Sequence, residues 1–161
     1  MGNLNIEWTD KQHVKISGIL DETCSFKDLT TNIGDEVWID FAGVSRINSC
    51  GVREWVKAII NLKTKIHFLN CSTVIVNQFF MIPEFVGHNG IVESFEISEI
   101  CQECDYETQK SVEVRKLNGI GDLEQLVGEC PRCGGELEFE QDIEIYEQFV
   151  TKMFDRINKA G

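Results

Sequence analysis

Two pairs of cysteines, Cys101-Gln102-Glu103-Cys104 and Cys130-Pro131-Arg132-Cys133, have the types and spacing to do chemistry. Thiolates two residues apart in a tight turn both reach one ion, and two such turns supply the four sulfurs that Zn²⁺ takes in closed tetrahedral sites. Pro131 and the Gly134-Gly135 pair suit the second turn, since glycine admits the positive φ that lets backbone N–H groups aim at sulfur. The 25 residues between the pairs exceed the usual spacing of about 15–20. They hold a candidate strand, Ser111 to Leu117, and a polar turn at Asn118-Gly119. Disulfides belong to oxidising compartments, and a redox dithiol needs only one pair. Cys101, Cys104, Cys130 and Cys133 are therefore the expected ligands of one structural Zn²⁺. With four cysteines bound, no position is left for water or substrate.

A second chemical feature is the turn Asn48-Ser49-Cys50-Gly51. Before it, Val37-Trp38-Ile39-Asp40-Phe41 has the β-branched and aromatic make-up of a buried strand. After it, Val52, Trp55, Val56, Ile59 and Ile60 fall on one face of an amphipathic helix, with Arg53, Glu54, Lys57 and Asn61 on the other. Asn and Ser are favoured helix N-caps. The N-terminus of such a helix turns free N–H groups and the positive end of its dipole toward an anion or a phosphate. Cys50 reads either as a reactive thiol favoured by that terminus or as a small packing residue. Cys71, just after a strand, reads as buried.

These two features need elements to hold them. Asn5 to Thr9 and Val14 to Leu20 read as strands, Asp21 to Asn32 as a weak helix, and Lys65 to Asn70 as a strand. Thr73 to Ile82 reads as a helix stopped by Pro83; seven of the nine residues from Val74 to Ile82 are hydrophobic, so it needs more than one apolar partner. That partner is the sheet together with a second domain, or else another chain, a homodimer among the options. Ile91 to Ile97 reads as a last strand and Glu136 to Glu140 as a short one. From Asp142 onward Ile143, Tyr146, Val150, Met153 and Ile157 mark a helix that docks on the body of the protein. His13 reads as an ordinary surface histidine and His67 as a strand side chain.

The first hundred residues resemble the STAS domain, named for sulfate transporters and anti-sigma factor antagonists. Asp40-Phe41-Ala42-Gly43-Val44 and Asn48-Ser49-Cys50-Gly51-Val52 are similar to the strand end and turn of that family, and Gly18-Ile19-Leu20-Asp21 to the end of its second strand. Asn48 stands where many phosphorylated members carry aspartate. The cysteine segment resembles a zinc ribbon. The implied fold is α/β: a STAS-like mixed sheet in the order β-β-α-β-α-β-α-β with helices mainly on one face, a small zinc-ribbon β unit, and a C-terminal amphipathic helix. The expected domains are 1–99, 100–140 and 141–161. The resemblance implies a partner-switching signalling regulator, with Ser49 as the phosphorylated residue and Asn48, Ser49, Cys50, Gly51 and Arg53 facing the protein partner, an anti-sigma factor or a kinase. It also implies an alternative, an accessory subunit of a transport or envelope complex that binds an ATPase subunit without being phosphorylated.

Composition narrows the field. Net charge is −12, with 8 basic and 13 acidic side chains in residues 1–100 and 7 and 14 in residues 101–161. Neither part offers the basic footprint that nucleic acid or an anionic membrane requires, which weighs against a zinc-ribbon nucleic-acid adaptor. No apolar run approaches the roughly 20 residues of a membrane span. Met1 to Asn5 lacks the basic and apolar regions of a signal peptide, and Ile6 stands where a myristoylation motif has Ser or Thr. A cytoplasmic protein is expected. No nucleophile–base pair, paired-carboxylate motif or phosphate-binding glycine loop is visible, so the expectation is a binding protein rather than an enzyme.

Overall fold

A computed structural model describes residues 3–160. Met1, Gly2 and Gly161 lie outside the described residues, and with them the start of the signal-peptide and myristoylation readings. The chain divides into two compact units, Met1–Phe95 and Glu96–Gly161.

In the first unit, the alternating apolar runs form five strands in the spatial order β1-β2-β3-β4-β5. These are β1 (Leu4–Trp8), β2 (His13–Leu20), β3 (Glu36–Ile47), β4 (Lys65–Leu69) and β5 (Gly90–Val92). β1 is antiparallel to β2, and β2 through β5 run parallel, so the sheet is mixed. The connections carry α1 (Lys27–Asn32), α2 (Ser49–Ile59) and α3 (Thr73–Met81). Strand alternation puts Val37, Ile39 and Phe41 of β3 and Ile66 and Phe68 of β4 in the core. Trp55 of α2 lies edge-on to Phe41 at 5.3 Å between ring centroids, and Phe79 of α3 edge-on to Phe68 at 5.5 Å. Both helices thus cover the same sheet face. Trp55 is fully buried, and its indole N–H donates to the Phe85 carbonyl at 2.9 Å, so its one polar atom is satisfied inside the core. On α3, Ile75, Val76 and Phe79 are buried, while Met81 at its end is exposed.

Several elements differ from the sequence reading. The helix expected over Asp21 to Asn32 is shorter, because the Asp21 carboxylate takes the backbone N–H and hydroxyl of Thr23 and holds a turn there. β3 runs twelve residues rather than five, since it stays paired with β2 as far as Leu20 opposite Ile47. The strand expected at Ile91 to Ile97 is two strands: β5 in the first sheet, and β6 (Ser94–Cys101), which leads into the second.

The second sheet has three strands in the order β7-β6-β8, with β7 at Glu107–Glu113 and β8 at Leu137–Phe139. The strand expected at Ser111 to Leu117 therefore lies four residues earlier, and Val114–Lys116 is a 3-10 turn. The first cysteine turn sets that position. The Cys101 N–H donates to the Tyr106 carbonyl at 2.9 Å, so the chain doubles back and pairing resumes immediately afterwards. Helix α4 (Ile143–Ala160) buries Tyr146, Phe149, Val150 and Met153, and the Tyr146 ring meets Phe139 of β8 edge-on at 5.8 Å. Among the described residues no helix is long and apolar enough to cross a membrane.

Candidate functional site

Cys101 ends β6 and Cys104 sits in the turn that follows, while Cys130 and Cys133 occupy a second turn just after the isolated bridge residue Glu129. The four sulfur atoms all lie within 4.8 Å of one another. Cys101 with Cys133 and Cys104 with Cys130 are each 3.5 Å apart. A tetrahedron with metal–sulfur bonds of about 2.3 Å places its sulfurs about 3.8 Å apart, so this donor set fits one ion of zinc's size. Backbone N–H groups support the sulfurs: Arg132 donates to Cys130 and Gly135 to Cys133, both at 3.4 Å. Gly134, at φ 78°, supplies the left-handed residue that this turn needs. The Arg132 guanidinium lies 5.1 Å over the Tyr106 ring and donates to the Cys104 carbonyl, pinning one turn to the other.

Burial grades the four cysteines. Cys101 and Cys130 are buried against Leu137, with Tyr106 and Val127 packed around them; Cys104 is half-buried and Cys133 exposed. Burial opposes the Cys130 thiolate, yet the N–H groups of Cys133 and Arg132 outweigh it and bring that thiol down to about 7. For Cys133 the Gly135 N–H acts in the same direction, but the sulfurs of Cys101 and Cys104 prevail and push it up to about 12. Four sulfurs this close would ionise together only around a cation, a charge that a bound soft dication would supply. The set is closed, which suits a structural ion rather than one that activates water.

The other expected residues gather at the head of α2. Asn48 is the cap: its Oδ1 accepts the Gly51 N–H at 2.9 Å, and its Nδ2 donates to Glu22 Oε2 at 3.1 Å. Ser49, the first residue of α2, is exposed, Cys50 is half-buried, and Arg53 is exposed with its Nε 3.6 Å from Glu54. Gly51 is buried. A Cβ at this position would run into the Leu20 carbonyl, so glycine lets α2 sit directly on the end of β2.

Sequence reasoning missed two polar sites. His67, 4% exposed, presents Nδ1 to Glu93 Oε1 at 2.6 Å and Nε2 to Glu36 Oε1 at 2.7 Å. The Glu36 carboxyl is held below its ordinary value, chiefly by this His67 bond. His13 also has a partner, Asp10 at 2.9 Å, and stacks on Trp38. The other site is Glu99, 1% exposed on β6, whose Oε1 lies 3.3 Å from Lys110 Nζ. The available signal for His67 was an imidazole between Ile66 and Phe68 in the middle of a short apolar strand. Glu99 lies past the expected end of its strand, beside the polar Glu96 and Ser98, and carried no such signal. No protein-family model matches this chain, and neither a curated protein nor a solved structure matches it.

Proposed function

We propose that the chain is a non-catalytic protein-interaction module, similar in design to anti-sigma factor antagonists, that offers the β3–α2 turn to a protein partner and is switched by phosphorylation of Ser49. The observation that carries this reading is an exposed Ser49 at the head of α2, set between the capping Asn48 and a Gly51 buried on Leu20. The β-β-α-β-α-β-α-β order of the first unit supports it. A phosphate there adds about −1.5 to −2 charges. The helix terminus accommodates such charge, with a dipole contribution of roughly 0.3–1 kcal/mol at an exposed site. A partner that desolvates the same spot is repelled or must bring a cation. In the second unit the four cysteines hold one structural Zn²⁺, the metal that a four-thiolate tetrahedron suits best.

One observation favours the second reading, an accessory subunit that binds an ATPase without phosphorylation. The Glu22 carboxylate, bonded to the Asn48 amide, already brings negative charge to this turn. Affinity capture from cells of the source organism, with the parent chain, Ser49→Asp and Ser49→Ala, separates the two. The switch reading expects a kinase or anti-sigma factor to co-purify. It expects Ser49→Asp to bind about tenfold more weakly with an unchanged melting temperature, and Ser49→Ala to bind but escape phosphorylation. Equal binding by all three forms, with an ATPase as partner, overturns it in favour of the accessory subunit. Captured nucleic acid overturns both.

A further inference from the structure

We propose that the four-cysteine centre is an oxidation-sensitive metal-release site that reacts first at the sulfur of Cys133. The inference rests on the metal reading above. Of the seven cysteines only Cys133 is exposed; Cys24, Cys71, Cys101 and Cys130 are buried, and Cys50 and Cys104 half-buried. A metal-bound cysteine is a thiolate, and sulfur oxidation follows thiolate character and access. In the metal-bound chain Cys133 combines the two.

A resolving thiolate stands beside it. Cys101 Sγ is 3.5 Å from Cys133 Sγ, and a disulfide bond of about 2.05 Å needs only a short approach. The Glu103 carboxylate, 3.9 Å from the Cys133 sulfur, disfavours anionic oxidants and leaves a neutral one, hydrogen peroxide, as the reagent class. The Cys133 thiolate attacks one peroxide oxygen, the O–O bond breaks, and hydroxide leaves; Cys133 is then a sulfenic acid. The Cys101 thiolate attacks that sulfur, the S–O bond breaks, the S–S bond forms, and a second hydroxide leaves. Two thiolates have given two electrons to peroxide, and two solvent protons convert the hydroxides to water. The ion has lost two of its four anionic donors and departs. Because Cys101 and Cys133 belong to different turns, the oxidised chain stays stapled where the metal had held it.

The test uses the full chain loaded with Zn²⁺. Metal is counted first, peroxide is then titrated in the presence of a chromogenic zinc chelator, and the cysteines are mapped by dimedone labelling, differential alkylation and mass spectrometry. The expected result is release of one zinc per chain, sulfenic acid trapped at Cys133 before any other cysteine, a Cys101–Cys133 linkage in the product, and recovery of zinc binding after dithiothreitol. Zinc retained while other thiols oxidise, or first oxidation at Cys104 with Cys133 intact, overturns the inference and leaves the metal reading standing. A chain that binds no zinc at the outset overturns both.

Discussion

The Trp38 indole lies flat on the His67 imidazole, with ring centroids 4.5 Å apart and planes 6° from parallel. His13 stacks on the same indole at 5.2 Å, so three rings from the adjacent strands β2, β3 and β4 line one side of the sheet in register. The stack accounts for how an imidazole is tolerated in an interior strand. The Trp38 indole covers one of its faces, and each ring nitrogen meets a carboxylate oxygen.

Glu36 makes this arrangement sensitive to acid. Its folded-state value lies below the ordinary 4.5, so the stability it contributes is present above pH 4.5 and lost as pH falls through the lower folded value. Glu36→Gln should therefore unfold at lower urea than the parent at pH 7, and the gap should narrow as pH falls below 4.5. A gap that stays undiminished as the carboxyl is titrated in acid would mean that the carboxylate charge is not what stabilises.

Gly51→Ala drives a methyl group into the Leu20 carbonyl and the Asp21 N–H. Backbone cannot yield as a flexible side chain does, so a loss of about 1–3 kcal/mol is expected. Urea denaturation measures it. An unchanged midpoint would show that α2 is free to lift from the end of β2, and that Ser49 is less firmly placed than its surroundings imply.

Cys130→Ser removes a buried thiol of the proposed zinc site. Zinc content should fall from one per chain toward none. Amide exchange should rise across β6, β7 and β8 while the core of β2, β3 and β4 keeps its protection, since the two units are compact separately. Strong chelation of the parent chain should reproduce the same pattern. Cooperative loss of protection throughout the chain would refute the independence of the units.

Tyr146 sets an alkaline limit. Burial, with help from Glu140, raises its phenol to about 12 from an ordinary 10. A raised value in the folded state means that its contribution is complete below pH 10 and disappears as pH climbs through 12. Tyr146→Phe should soften the fall in stability between those limits. Identical alkaline profiles for the two proteins would place the loss elsewhere.

What could be read from the chain was local. The gathering of the four cysteines was legible because a Cys-x-x-Cys spacing carries its own geometry, and α2 because Val52, Trp55 and Ile59 repeat with the helix. The surroundings of His67 were not legible: its two carboxylate partners lie 31 residues before it and 26 after it, and only strand pairing brings them together. β7 was misplaced for a similar reason. Its start is fixed by one hydrogen bond across the first cysteine turn, and nothing in Glu107-Thr108-Gln109-Lys110 announces a strand. The length of β3 escaped because Gly43, Ser45 and Arg46 break the apolar alternation while the backbone stays paired to β2.

That length bears on how the molecule avoids sticking to itself. The β4 ladder beside β3 ends with Asp40 opposite Leu69, yet β3 continues to Ile47. A strand that outlasts its neighbour presents backbone donors and acceptors on the side the neighbour has left, and there a stray extended chain can add and seed aggregation. Here Ser72 donates its hydroxyl to the Val44 carbonyl at 3.1 Å, standing in for a missing strand, and the charged Arg46 is exposed just beyond. At high concentration Ser72→Ala is the change that would reopen this edge, although nothing near Ser49 or the four cysteines would have moved.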